Sequence, residues 1–399
     1  MEKRYGLGVK AAILSIIVTQ YTITLQTPIL GTINAEYGEI YGTFIKQLET
    51  LNTLSMVVVG LLMGLLLKFM GRKKLLIIAT ILAMLQALPA FIPGFWIIAA
   101  ARICAGLGMG IIYPSSAAYV MSLFKGDEAN KLMGIRSTTG AIAGIVVMQL
   151  SGLIATHFNY RFSYLIALIA LPCVILMIAK IPNVEEEQAS LAGSGEKKGS
   201  FTPSSWILLI SGGILVMLFA YTYMTNCSIV VCSAPEDGGL GLSPSVASTV
   251  LTVMSVAFAV CGLLYGTFFV RVFQQYTTVF AVLLLGIGLI IAYFAESFAM
   301  MCLASVVFGL GFPMFNDAIV QALGRTVRRE NAIPVITSYF FAVSGIGQYL
   351  SSLVTPAISA ALFPGNIRGD WLVSAVCLAA GAVVACIIQI VVAGKKKAA

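Results

Sequence analysis

Stretches of roughly 20 mostly apolar residues, separated by short polar turns, follow one another along almost the whole chain. That length lets a helix cross the hydrocarbon of a bilayer, so each stretch predicts a membrane span. The predicted spans are 9–33, 46–69, 74–92, 95–123, 132–156, 161–181, 203–226, 245–270, 276–295, 298–323, 332–356 and 371–393. The expected fold is all-α, with about twelve transmembrane helices and no sizeable soluble domain. The start, MEKRYGLGVK, is basic like a signal peptide, but a span of full length follows it without an A-x-A-like cleavage site, and it reads as the first retained helix.

The chain also repeats itself. Shifted by 200 to 202 positions, Tyr21, Thr22 and Gln26 fall on Tyr221, Thr222 and Asn226, and Gly60 and Gly64 on Gly262 and Gly266. Gly108 and Gly110 fall on Gly309 and Gly311, and Ser137, Gly144 and Ser151 on Ser338, Gly345 and Ser352. Four matches in one order predict two related six-helix bundles, 1–181 and 203–399. The stretch 182–202, rich in Glu, Ser, Gly and Lys, is the one long polar segment and predicts a flexible cytoplasmic linker. Parallel repeats of this kind place a solute path at their interface and work by alternating access.

Composition agrees with a membrane chain. It is 59% hydrophobic and 10% charged, against roughly a quarter charged in a soluble domain. The net charge of +8 would suit nucleic acid, but the positions of the basic residues argue otherwise. With the N-terminus inside, 20 of them fall on the cytoplasmic side, only Lys46, Arg161 and Arg368 fall outside, and Arg102 stays within a span. This is the positive-inside pattern, so both termini are expected in the cytoplasm of a multi-pass protein of the cell membrane. The charge orients the chain and attracts anionic lipid; no nucleic-acid partner is expected. Most of the eight cysteines lie in apolar helices; Cys227 and Cys232 stand near enough in sequence to raise a disulfide. His157, the single histidine, has no Cys or His partner nearby, and neither a metal site nor a cofactor is expected.

Two motifs carry a resemblance. After the second span comes Gly64, then Lys68, Phe69, Gly71, Arg72 and Lys73; the fourth span opens Arg102, Gly106, Gly108, Gly110 and Pro114. The first resembles the loop G-x-x-x-D-R-x-G-R-K, and the second the R-x-x-x-G-x-G-x-G element, of the major facilitator superfamily. The resemblance covers essentially the whole chain and implies a secondary transporter with two pseudo-symmetric six-helix bundles. It makes Gly64, Gly71, Arg72 and Lys73 a conformational loop, although Lys68 and Phe69 replace the usual acid and arginine of the latch. The helix 5 Gly-Pro motif of the family's drug/proton antiporters is missing, because Ile145 follows Gly144.

The spans hold few polar residues, and these are the candidates for chemistry. Gly106, Gly108 and Gly110 suit close helix packing. Arg102 either binds an anionic group of a substrate or snorkels to the outer face. Asp317 reads as the only acid clearly inside a span, placed to titrate and couple transport to protons, or to close an inner gate with Arg136. Gln20, Tyr21, Thr24, Gln26, Tyr221, Thr222 and Asn226, with Asn316, make helices 1 and 7 unusually polar and form, with Arg102, the expected substrate-binding set.

These features predict a monomeric secondary transporter of a small organic solute, proton-coupled or exchanging. A proton-linked efflux pump for amphipathic compounds is the alternative, and a non-transporting sensor of the same fold the second. No phosphate-cradling G-x-x-x-x-G-K-[ST] is present, which argues against ATP drive, and one histidine with one deep acid argues against an enzyme.

Overall fold

The computed structural model describes residues 6–124, 126–182, 202–326 and 333–398; residues 183–201 of the expected linker lie outside them. Among the described residues the chain forms twelve long helices and no strand. They are α1 (Leu7–Tyr41), α2 (Phe44–Phe69), α3 (Arg72–Ala90), α4 (Phe95–Leu123), α5 (Gly126–His157) and α6 (Tyr160–Lys180), then α7 (Pro203–Cys232), α8 (Pro244–Leu264), α9 (Thr277–Tyr293), α10 (Phe298–Gly324), α11 (Ile333–Leu362) and α12 (Gly369–Ala398). Nine hold a segment long and apolar enough to span a bilayer; α9 is apolar but shorter, and α2 and α11 have the length.

Local chemistry sets several boundaries. Asn159 caps α6 by accepting the Arg161 N–H, and Thr202 with Ser205 forms a capping box on α7. Ser297 accepts the Met300 N–H at the start of α10. His157 occupies the last turn of α5.

Two compact units result. The first holds 1–33 with 48–196, the second 34–47 with 197–399. The segment 34–47, expected in the N-terminal bundle, groups instead with the second unit, where Lys46 pairs with Asp370 at 2.6 Å. Ile13, Ile16, Leu76, Ala79, Ile112 and Met177 meet in the core of the first unit. In the second, Tyr223 stacks between Phe308 and Trp371, with ring centroids 4.5 and 6.0 Å away. Large apolar side chains such as Leu263 and Trp96, 80% and 68% exposed, cover outer surfaces, as they do where lipid replaces water.

Glycines fix how close the helices come. A Cβ on Gly106 would collide with the Asn52 backbone of α2, and one on Gly108 with the Ala79 carbonyl of α3. In the second unit the approach is tight but less so: a Cβ on Gly309 would meet the Met254 carbonyl of α8 at 2.8 Å, and one on Gly311 the Ala281 carbonyl of α9 at 3.0 Å. These contacts align Gly106 and Gly108 with Gly309 and Gly311, one glycine earlier than the sequence repeat suggests. Gly106→Ala is expected to cost about 1–3 kcal/mol, because backbone and not a flexible side chain must yield. Gly262→Ala, which meets nothing within 4 Å, serves as the control. Thermal unfolding of the two variants in one detergent checks the contrast, and equal melting temperatures would refute it.

Candidate functional site

The polarity of α1 has a structural cause. Its helix tightens to a 3₁₀ turn over Thr22–Ile29, with Pro28 inside it. Eight residues is long for that geometry, and proline removes one backbone donor. Carbonyls loosened at membrane depth need protein donors, since lipid offers none. Arg102 Nη1 reaches the Ile23 carbonyl at 2.8 Å, Gln86 Nε2 the Thr22 carbonyl at 3.3 Å, and Ser151 Oγ the Leu25 carbonyl. Side chains of the same turn are tied as well. Thr27 donates to Glu49 Oε1 at 2.8 Å, and Tyr164 donates to Gln26 Oε1 at 3.1 Å.

Arg102 is the centre of this bend. Besides Ile23 it donates from Nε to the Leu48 carbonyl at 3.0 Å, and from Nη2 to the Glu49 carbonyl at 3.3 Å and Asn52 Oδ1 at 3.1 Å. The Glu49 carboxylate stands 3.7 Å from Nη2. Arg102 is 1% exposed, so it does not snorkel to the outer face, and its donors here meet groups of α1 and α2 inside the first unit. Glu49, 4% exposed within α2, also corrects the expectation that Asp317 is the only acid inside a span.

The other nominated residues divide by accessibility. Gln20 and Gln26 are buried in the first unit, and Thr222 and Asn226 in the second. Thr222 donates back to the Phe219 carbonyl, and Asn226 Nδ2 donates to Asp370 Oδ2 at 2.9 Å. Asn226 thereby ties α7 to α12, and Gln26, which accepts from Tyr164, ties α1 to α6, whereas the Thr222 hydroxyl bonds within its own helix. Tyr21 and Thr24 in the first unit, and Tyr221 and Asn316 in the second, keep accessible surface; Asn316 Nδ2 donates to its own helix at the Phe312 carbonyl. Asp317 is exposed on α10, and among the described residues no ion pair reaches it. Arg136 is half-buried and donates from Nε to Ser116 Oγ at 3.0 Å.

In the conformational loop, Gly64 ends in helix α2, and Gly71 caps α3 in an extended conformation. Arg72 and Lys73 open the helix, and Lys73 Nζ donates to the Ile178 carbonyl at 2.9 Å. A cation on the last carbonyls of α6 is favourably placed against that helix dipole. Cys227 and Cys232 are both free; five positions on one helix leave their side chains pointing apart.

Sequence reasoning missed Lys46, Glu49 and Asp370. Each lies within a turn or two of a helix start, where a charge reads as belonging to the adjoining loop. The usable signal was spacing: Lys46, Glu49 and Asn52 recur every third residue along one side of α2.

With this geometry in view, a sequence profile of the Major Facilitator Superfamily matches residues 12–231, more than half of the chain. The chain belongs to that superfamily. A protein named as a probable sugar efflux transporter in Haemophilus influenzae (strain PittGG) is 22% identical over 291 residues, covering 72% of each chain. A mutant of the nucleoside transporter NupG superposes with a TM-score of 0.79 at 13% identity, over 95% of this chain and 99% of that one. The peptide transporter POT in complex with sulfate gives 0.72 at 12% identity, over 96% and 94%. As a member of the superfamily the chain is a multi-pass membrane transporter of a small molecule, not an enzyme, and its fold is that of the superfamily.

Proposed function

We propose that this transporter moves a small hydrophilic organic solute across the cytoplasmic membrane by alternating access, as a monomer with both termini in the cytoplasm, coupled to protons or to exchange. The observation that carries the reading is a sparse accessible polar set in each unit: Tyr21, Thr24 and Arg136 in the first, and Tyr221, Asn316 and Asp317 in the second. Helices this apolar have no structural need for accessible amides, phenols and charges at membrane depth. Asp317 is the coupling group, because an accessible carboxyl on a span can gain and lose a proton during a cycle. The names of the relatives favour export of a sugar-like solute, and that is the direction we adopt.

Reconstituted proteoliposomes test this. Labelled sugars and nucleosides, assayed by counterflow, are expected to include at least one that accumulates above protein-free vesicles. Asp317→Asn should slow flux driven by a pH gradient by about tenfold or more while sparing counterflow at equal pH. Folded protein that moves neither these solutes nor their acidic derivatives would support a non-transporting sensor instead.

A further inference from the structure

We propose that Arg136, with Tyr21, Tyr113 and Ser116, forms an anion subsite in the first unit that takes the carboxylate or phosphate of the transported solute, which makes that solute an acid. That the anion belongs to a transported solute rests on the transport reading above.

Arg136, Gly140 and Gly144 recur every four residues on α5 and share one face. Tyr21 lies on that face. A Cβ added to Gly144 would meet Tyr21 Cδ1 at 2.9 Å, and one on Gly140 would meet the hydroxyl oxygen at 2.9 Å. The ring therefore runs along α5 from Gly144 past Gly140, and its hydroxyl points toward Arg136, one turn further. Arg136 and Tyr113 lie near enough to act on that hydroxyl electrostatically.

From α4, Ser116 fixes the guanidinium. Its Oγ accepts from Arg136 Nε at 3.0 Å and donates to the Tyr113 carbonyl at 3.0 Å, and the serine is fully buried. With Nε tied, the plane of the fork is set, and Nη1 and Nη2 remain. Among the described residues no acceptor bonds them and no carboxylate lies within 4.0 Å of Arg136. Tyr113, one turn before Ser116, is 52% exposed, so its phenol is open to a ligand.

A half-buried guanidinium is costly without an acceptor. Arg102, in the same unit, meets that need entirely with protein groups. Among the described residues Nη1 and Nη2 of Arg136 meet no such acceptor, and two nitrogens in a fixed plane match the two oxygens of a carboxylate or phosphate. The two phenols add hydroxyl donors beside the fork.

The test is binding to the purified chain in detergent, by thermal shift and calorimetry, using gluconate, glucose 6-phosphate, glucose and inorganic phosphate as probes. Gluconate or glucose 6-phosphate is expected to bind at least about tenfold more tightly than glucose, the worth of one charge-assisted fork. Arg136→Gln should remove that preference, and Arg136→Lys should restore only part of it, since a lysine offers no planar fork. Tyr113→Phe should weaken the same acids by a smaller factor. Equal binding of acid and neutral probes by the parent would overturn the subsite, as would an acid preference that survives Arg136→Gln in a variant melting like the parent. Binding of inorganic phosphate with no gain from either organic acid would also overturn it. Arg136-dependent acid binding without flux in proteoliposomes would sink the transport reading and leave the subsite standing.

Discussion

Arg102→Met is expected to lower the stability of the first unit by about 3–5 kcal/mol, the range for leaving a buried charged network without one partner. The guanidinium supplies donors to the carbonyls of Ile23, Leu48 and Glu49 and to Asn52, all within the apolar interior. Methionine fills much of the volume but donates nothing, so these acceptors are orphaned at about 1–3 kcal/mol each before relaxation. The Glu49 carboxylate also loses the one cation within 4.0 Å of it among the described residues. Arg102→Lys should recover little, because an ammonium cannot reach acceptors on two helices at once. Glu49→Gln keeps an acceptor for Thr27 and should cost about 1 kcal/mol, the worth of an ordinary hydrogen bond. Thermal unfolding followed by size-exclusion chromatography ranks the three variants. If Arg102→Met melts with the parent and only its solute affinity falls, the guanidinium serves the substrate and not the bend.

The sequence made the helices plain because each needs only length and apolarity, and Gly106 and Gly108 announced close packing because nothing larger fits beside Asn52 and Ala79. The direction in which polar side chains point was a different matter. In a soluble protein an apolar stripe marks the buried face, but a helix in lipid is apolar all round. Gln26 and Tyr21 therefore look alike in sequence, yet Gln26 turns inward to Tyr164 while Tyr21 keeps accessible surface over Gly140. The 3₁₀ turn explains much of this. Pro28 was the visible sign of a bend, and a bend at depth demands donors; Arg102, Gln86 and Ser151 answer that demand from three other helices. Their sequence separations from it, from 64 to 126 residues, hid the connection.

Asp370→Ala is the second large effect, expected to cost the second unit about 3–5 kcal/mol, because a buried pair broken on one side leaves its partner's charge uncompensated. Asp370 Oδ2 accepts from Lys46 at 2.6 Å and from Asn226 at 2.9 Å, and the aspartate side chain is 4% exposed against 14% for the lysine. Its place in the first turn of α12 adds the favourable end of that helix dipole, which alanine forfeits. Next to it, Trp371 donates to the Thr222 carbonyl at 3.0 Å and stacks on Tyr223, so the start of α12 is held by an ion pair and an aromatic stack together. The contribution of the pair can be separated from that of the stack. Lys46→Met with Asp370→Leu removes both charges and supplies apolar volume, and this double variant should be more stable than Asp370→Ala by at least about 2 kcal/mol, since neutral replacements of buried pairs cost little. If the double variant melts no higher than Asp370→Ala, the loss came from the helix end and the stacked aromatics, and the ion pair does not hold residues 34–47 in the second unit. A double variant that melts near the parent but transports slowly would give the pair a role in the cycle instead. The charges would then be kept for a step in which Lys46 and Asp370 separate, rather than for the stability of the structure described.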